Sequence, residues 1–305
     1  MITFREIIPG DSSLLEDRIR NAGYYASHYS PYNLFCLRNK YGTRICAEGS
    51  ALFIRQEKRD TERYAAYLYP VGGSGKADRL REVFRHAASL DKRPLFWGLT
   101  EPQATELNEV YPGRFDCREI EGWSDYLYRA DDLYAAMKDA AIFERRFAGQ
   151  FVLQRIDSGN IGEVVAFQDW WLSQNVKENG APESLSLEHR GICEALENWD
   201  ALPIHGVLIR FGDEIRGYTI TLKQTDEYAT SHVLKVDKRQ RHRGLAQFVM
   251  KCGLQCTGMP FVNLEEDIGL AGLRAFKMML HPFALLTKYR ALYISDSLWE
   301  ADSSE

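Results

Sequence analysis

One order of predicted elements occurs twice along this chain of 305 residues, and that repetition limits the folds open to it. Each half reads as a strand, two helices, three strands, a glycine turn, a helix, a strand, a helix and a strand. Alternating apolar residues predict strands over residues 2–8, 43–47, 51–55, 64–70, 94–99, 125–128, 150–156, 205–211, 215–222, 228–236, 261–264 and 285–292. We therefore predict a mixed α/β (α+β) chain of two tandem domains, residues 1–135 and 136–305, each with a mixed, mostly antiparallel sheet flanked by helices.

Composition narrows the classes of function. Apolar residues make up 45% of the chain and charged residues 27%, as in ordinary soluble globular proteins. The net charge of −5 argues against general coating of nucleic acid, although a local basic patch remains open. The six cysteines form no CxxC pair, and the close pair Cys252 and Cys256 has no histidine at metal-ligand spacing, so we expect reduced thiols and no metal site. With no signal peptide and no apolar run near ~20 residues, we expect a cytoplasmic chain.

A basic turn after the predicted strand over residues 228–236 is a candidate anion site. The turn contains Arg239, Arg241, Arg243 and Gly244, and the helix after it carries an apolar stripe of Leu245, Phe248, Val249, Cys252 and Cys256. The free N–H groups of the first helical turn and the positive end of the helix dipole favour an anion at such a position. A solvated basic surface is the alternative.

The doubled element order, with a glycine turn between the fourth strand and the third helix of each half, resembles the fold of GNAT acyltransferases. Residues 241–246 match the R-x-x-G-x-A form of the loop that wraps a pyrophosphate in acyl-CoA-dependent members. The resemblance implies two tandem GNAT-like domains. It also implies that the phosphates of an acyl donor are held by Arg239, Arg241, Arg243, Gly244 and Ala246.

A second, longer signature lies between residues 262 and 289. It contains Asn263, Glu265, Asp267, Gly269, Gly272, Leu273, Arg274, Lys277, His281, Pro282, Lys288 and Tyr289. This pattern is similar to that of the phosphatidylglycerol lysyltransferase C-terminal-domain family, which comprises tandem-GNAT aminoacyltransferases and their soluble relatives. Weaker matches at residues 32–35 and 125–128 extend the resemblance over nearly the whole chain. The resemblance implies an aminoacyl-tRNA or an acyl-CoA as donor, and no permanently bound cofactor.

The signature offers residues for acyl transfer, which needs a base, a positioned acceptor and donors for the oxyanion. We predict catalytic roles for four residues that follow the predicted strand over 261–264 or belong to it: Asn263, Glu265, Asp267 and His281. We predict substrate contacts for Lys235, Arg274 and Lys277, the last two lying three residues apart on one helical face. The alternative is an ion-pair network among the carboxylates and Arg274 and Lys277, with a hydrogen-bonded structural histidine at His281.

Two departures from the family pattern affect the functional prediction. Residues 144–147 read Glu-Arg-Arg-Phe where active relatives carry a K-R-N stretch, and Leu234 precedes Lys235 where relatives tend to have glutamate. We predict aminoacyl transfer to an amine or hydroxyl acceptor. The alternatives are an acyl-CoA-dependent N-acyltransferase that acts on a small amine, and a non-catalytic tandem-GNAT binding module. Contact with a lipid surface stays open.

Overall fold

The computed structural model describes residues 2–73, 75–179, 182–239 and 242–295. The strands are β1 (Arg5–Glu6), β2 (Thr43–Glu48), β3 (Ala51–Gln56), β4 (Tyr64–Tyr67), β5 (Val71–Gly72), β6 (Arg93–Leu99), β7 (Phe115–Glu119), β8 (Asp125–Arg129), β9 (Val152–Arg155), β10 (Ile204–Phe211), β11 (Glu214–Lys223), β12 (Tyr228–Val236), β13 (Phe261–Asn263), β14 (Ala284–Leu286) and β15 (Tyr289–Tyr293). The α-helices are α1 (Ser12–Asn21), α2 (Pro31–Cys36), α3 (Arg38–Tyr41), α4 (Lys76–Ser89), α5 (Glu101–Val110), α6 (Ala130–Ala136), α7 (Lys138–Arg146), α8 (Ile161–Asn179), α9 (Glu183–Glu197), α10 (Leu245–Gln255) and α11 (Ala271–Met279).

Two mixed sheets organise these elements. The first has the order β1-β2-β3-β4-β6-β15-β7, with β5 paired to β3, and the second has the order β14-β8-β13-β12-β11-β10-β9. In each sheet one neighbouring pair is parallel, β4 with β6 and β12 with β13, and the other pairs are antiparallel. The predicted fold class, two tandem GNAT-like units with mixed and mostly antiparallel sheets flanked by helices, is confirmed.

Each sheet takes one strand from the other half of the chain. Strand β8 lies between β13 and β14 in the second sheet, and β15 lies between β6 and β7 in the first. Both segments were predicted as the last strand of their own half, and the structure pairs each with strands of the other half. The range predicted as one strand, 285–292, is instead two short strands in different sheets, and β7 was missed because its five residues are polar or partly exposed. The division at residue 135 stays a prediction, and the hydrogen-bonded sheets cross it.

Strands β12 and β13 separate after a short paired stretch. They pair from Tyr228 to Thr230 on β12, and β12 then continues to Val236 without a strand on that edge among the described residues. The part of β12 that has left β13 still pairs with β11 and contains a β-bulge. Thr221 pairs with Ser231 and Ile220 with Val233, so His232 is the extra residue. The two strands therefore open a gap, and His232 lies beside it.

The two halves share one apolar core. Residues of the first half such as Leu15 and Ile54 belong to the same buried cluster as Ile192 and Leu208 of the second. Helices α2 and α9 approach so closely that a Cβ added at Gly191 would lie 1.9 Å from the carbonyl oxygen of Cys36. This contact brings α2 and α3 against the open side of the second sheet. Among the described residues, none of the helices combines the length and apolar character needed to cross a bilayer.

Candidate active site

A cavity of about 310 Å³ occupies the gap between β12 and the chain that follows β13. Helices α2 and α3 of the first half form one wall, and α9, α10 and α11 complete the enclosure. Its polar lining includes Asn33, Glu188, His232, Lys235, Glu265, Glu266 and Lys277. The cavity therefore lies between the two halves and collects charged side chains from both.

Glu265 is the carboxylate best placed to act in this cavity. Its Oε1 accepts hydrogen bonds from Asn33 Nδ2 at 2.7 Å and from His232 Nδ1 at 2.8 Å, and its side chain is 22% exposed. The residue adopts φ 61°, which is strained for a side chain other than glycine, and Asn263 Oδ1 accepts from its backbone N–H at 2.7 Å. Both of the bonds from Asn33 and His232 use Oε1.

His232 connects the bulge of β12 to Glu265. Its ring stacks on Tyr32 with centroids 4.7 Å apart, and its side chain is fully buried. The ring nitrogen Nε2 is buried and has no hydrogen-bond partner among the described residues, although buried polar nitrogens normally have one. The imidazole is therefore fixed in place at the cavity wall with one nitrogen still available.

A buried charge network supports the floor of the site. Lys288 and Asp125 are fully buried, and Lys288 Nζ donates to Asp125 Oδ1 at 2.6 Å and to Glu266 Oε2 at 3.4 Å. Ser27 Oγ lies 2.7 Å from Asp125 Oδ1 and 3.0 Å from Glu266 Oε2. Burial by itself lowers the pKa of Lys288, and the charges of Asp125 and Glu266 reverse that shift and raise it. The network ties β8, the segment before α2 and the segment before β15 together.

Asn263 and Asp267 are held by protein groups. Asn263 is fully buried, and its Nδ2 donates to the Tyr25 carbonyl and to Asp125, each at 2.9 Å. Asp267 accepts from Arg274 Nε at 2.8 Å and from the Tyr126 hydroxyl at 2.5 Å. The bond from Arg274 is the largest cause that lowers the pKa of Asp267 to about 2. Their catalytic roles stay predictions, and these contacts match the ion-pair alternative for Asp267 and Arg274.

The remaining predicted residues lie at different distances from the cavity. Lys277 Nζ donates to the carbonyl oxygens of Glu265 at 3.1 Å and Glu266 at 2.6 Å, and burial lowers its pKa. Lys235 lines the cavity and donates to Glu188 at 3.0 Å. His281 is exposed with φ 57° just after α11 and does not line the cavity.

The predicted phosphate loop lines a separate, open cavity of about 450 Å³ at the start of α10. Arg243 pairs with Asp139 at 2.9 Å and Arg239 with Asp237 at 3.0 Å, while Ala246 lines the cavity and Arg241 lies outside the described residues. Gly244 has φ 88°, and a Cβ there would lie 2.0 Å from the Asp139 carbonyl oxygen. The close approach of α7 therefore suffices to require glycine at this position.

The two cavities are neighbours that share one side chain. Phe276 of α11 lines both, and β12 contributes Lys235 to one and Val236 to the other. The loop and the signature residues therefore lie side by side and do not face a single common cavity.

Several residues of the site were not predicted from the sequence. Asn33 and Lys288 stood in motifs that carry the family resemblance, but no role followed from those motifs alone. The local pattern around His232 reads as an ordinary strand, and only the register of β11 and β12 reveals the bulge. Glu188 lies on α9, where spacing predicts an apolar face and says nothing of the cavity that the helix borders.

The fold is that of the tandem GNAT-like proteins. The family model "Phosphatidylglycerol lysyltransferase, C-terminal" matches residues 20–292, and the chain belongs to this family. The resemblance predicted from the sequence is therefore confirmed. A comparison with curated proteins finds no match.

Three solved structures are similar over almost the full chain. A conserved protein of unknown function from Bacteroides thetaiotaomicron VPI-5482 has a TM-score of 0.87 at 23% identity, covering 96% of this chain and 100% of its own. L-PGS from Bacillus licheniformis has a TM-score of 0.64 at 13% identity, covering 98% and 96%. FemX has a TM-score of 0.61 at 10% identity, covering 98% and 99%. At these identities the three structures establish the fold.

Proposed function

We propose that this chain transfers an aminoacyl group from an aminoacyl-tRNA to an amine or hydroxyl acceptor, and that Glu265 accepts the proton of the acceptor. The observation that carries the proposal is the pair of Glu265 and His232 in the cavity between the halves. Asn33 and His232 hold Oε1 of Glu265, so that Oε2 can face the acceptor. The name of the family and that of L-PGS support the aminoacyl class of donor.

The chemistry requires one bond to form and one to break. The acceptor oxygen or nitrogen attacks the carbonyl carbon of the donor ester, its proton passes to Glu265, and the ester bond to the tRNA 3′-oxygen breaks. The leaving 3′-oxygen then takes this proton from Glu265, and the Glu265 carboxylate is regenerated. Lys277 lines the cavity, and its ammonium group can stabilise the developing oxyanion.

The charges around α10 bear on the acyl-CoA alternative. Arg239 and Arg243 are each paired with a carboxylate, so a pyrophosphate at this helix start would have to replace Asp237 and Asp139. The acyl-CoA alternative retains the support of the cavity itself, which lies at a helix N-terminus.

The surface beside the cavity supports an acceptor at a lipid surface. Large apolar side chains are exposed on and around α11, namely Ile268, Leu270, Met278, Met279, Phe283 and Leu285. Arg274 on the same helix pairs with Asp267 and keeps 47% of its side chain exposed. Peripheral contact of this face with lipid would bring a headgroup close to the cavity entrance.

The test compares donors and one pair of variants. Purified protein is incubated with a labelled aminoacyl-tRNA mixture or with acetyl-CoA, and loss of the ester or thioester is followed with anionic vesicles and with soluble amines as acceptors. We expect turnover with aminoacyl-tRNA. Glu265→Gln should lower kcat by about 10²–10⁴-fold, because the amide cannot accept the proton. Glu227→Gln, an exposed change at the far end of β12, should leave kcat unchanged.

The alternatives give different results in the same assay. Turnover with acetyl-CoA alone would identify an acyl-CoA-dependent N-acyltransferase. Stabilisation by a donor without turnover would identify a binding module. Full activity of the Glu265→Gln variant would remove the carboxylate from the reaction.

A further inference from the structure

Helices α8 and α9 hold a cluster of three side chains that the proposed reaction does not use. Asp169 lies on α8, and His189 and Cys193 lie one turn apart on α9. One oxygen, one nitrogen and one sulfur from these residues all lie within 4.8 Å of one another. His189 Nε2 is 3.1 Å from Asp169 Oδ1 and 3.7 Å from Cys193 Sγ.

These distances suit a tetrahedral cation. Zinc binds thiolate sulfur at about 2.3 Å and imidazole nitrogen or carboxylate oxygen at about 2.0–2.2 Å, so tetrahedral angles put the sulfur and nitrogen roughly 3.6 Å apart and the nitrogen and oxygen roughly 3.3 Å apart. The observed separations of 3.7 Å and 3.1 Å are close to both values. One sulfur, one nitrogen and one oxygen ligand form a donor set that zinc accepts.

The surroundings of His189 can hold the ring in the orientation that a metal ligand needs. Its Nδ1 lies 3.1 Å from the side-chain amide of Gln168, which is 1% exposed and bonded to the Tyr218 hydroxyl at 2.6 Å. The oxygen and nitrogen of a glutamine amide exchange places by a half-turn. In the exchanged orientation the amide accepts from Nδ1–H and donates to the Tyr218 oxygen, which leaves Nε2 free to bind a cation.

We propose that Asp169, His189 and Cys193 bind a zinc-class divalent cation that clamps α8 to α9, with water as the fourth ligand. The side chain of Asp169 is 61% exposed and that of His189 18%, so the fourth position and a path for the ion are open to solvent. The sequence predicted no metal site, because Asp169 is 20 residues before His189 and no short motif links them.

Binding exchanges a proton for the metal. When the cation binds, the sulfur lone pair of Cys193 forms the metal bond and one proton is released to water.

The site borders the cavity described above. Glu188 and Ile192 precede His189 and Cys193 by one residue each and line that cavity, and Glu188 accepts from Lys235. A cation that clamps α9 to α8 would hold this wall of the cavity in position. The inference does not depend on the proposed reaction, because metal binding can be measured without a donor or an acceptor.

The test is cobalt and zinc titration of the full chain after treatment with a chelator. We expect one Co²⁺ per chain, with a thiolate-to-cobalt charge-transfer absorption that Zn²⁺ abolishes by displacing the cobalt. Zn²⁺ at a hundredfold excess over its Kd should raise Tm by about 4 °C. Cys193→Ser should lose the absorption and the Tm shift, and His189→Gln should weaken binding at least about tenfold.

The matched control is Cys256→Ser, which removes an exposed thiol one turn from Cys252 and should leave both signals unchanged. An absorption that persists in Cys193→Ser, or that disappears in Cys256→Ser, would place the metal elsewhere. Absence of stoichiometric binding would show that the three residues form only a hydrogen-bonded cluster.

Discussion

Three consecutive acidic residues after β13 have three different environments. Glu265 faces the cavity, Glu266 reaches the buried Lys288, and Asp267 pairs with Arg274. The backbone makes this possible, because Glu265 at φ 61° and Ile268 at φ 47° turn the chain sharply on either side of Glu266 and Asp267. One short segment thus combines a candidate base with two carboxylates that hold it in place.

The ion pair of Asp267 predicts a pH-dependent stability effect. Its pKa is lowered to about 2 in the fold, so its contribution is complete above the unfolded value and is lost as the pH falls through about 2. Asp267→Asn should lower the free energy of unfolding by about 1–2 kcal/mol at pH 7, since the half-exposed Arg274 is partly screened by solvent. The difference should fall to about half at pH 3.

Urea unfolding of both proteins at pH 7 and pH 3 measures this difference. Asp226→Asn, at a side chain that is 88% exposed, is the control and should change little at either pH. An equal loss at both pH values in Asp267→Asn would mean that the charge of the carboxylate is not responsible.

At the scale of elements, the start of α10 depends on its contact with α7. Gly244 combines a positive φ with a carbonyl group at 2.0 Å from the position of a Cβ, so any side chain would push the two helices apart. Gly244→Ala should therefore cost about 2–4 kcal/mol of stability. Gly149 has φ 74° and open space around it, so Gly149→Ala should cost only about 1 kcal/mol.

Thermal or chemical unfolding of the two alanine variants separates the cost of the positive φ from the cost of the steric contact with α7. Equal losses in both would mean that the positive φ alone is responsible and that α7 can move. A Gly244→Ala variant that keeps the stability of the parent but loses donor binding would return the glycine to the role predicted from the sequence.

Local signals were sufficient for most helices and for the positions of many strands. The apolar stripe that begins at Leu245 predicted α10, because helix formation there depends on residues within a few turns. The break between β14 and β15 could not be predicted in this way. It is stabilised by burial of Lys288 against Asp125, a residue more than 160 positions earlier, and no window of local sequence contains both partners.

The residues of the candidate active site were also only partly predictable from local sequence. The signature around Glu265 identified the segment, but the partners of that carboxylate are Asn33 on α2 and His232 in the bulge. Which of several acidic residues faces the cavity follows from the turn of the backbone at Glu265 and from the packing of α2 against α9, and both are long-range features.

At the scale of the whole molecule, the exchanged strands predict one cooperative unit. Residues 1–135 alone would lack β15, which lies between β6 and β7, and residues 136–305 would lack β8, which lies between β13 and β14. Each half expressed alone should therefore show no cooperative unfolding, and the full chain should unfold in a single transition. Coexpression of the halves should restore a folded complex.

Calorimetry and circular dichroism of the full chain, the halves and the coexpressed pair test this expectation. A chain that ends at residue 286 removes β15 together with Lys288, the partner of the buried Asp125 on β8, and should also lose the single transition. Two separate transitions in the full chain, or a cooperative transition in residues 1–135 alone, would contradict it.

The placement of β15 also sets the order of events during synthesis on the ribosome. Strand β6 ends at Leu99, and its neighbour β15 begins about 190 residues later. At about 5–20 residues per second, the first sheet waits on the order of 10–40 s for the strand that completes it. During that time β6 and β7 expose edges that only the last described strand covers. The nascent chain should therefore depend on chaperones until β15 has been synthesised, and a ribosome stalled before residue 289 should hold a chain that proteases cleave in both halves.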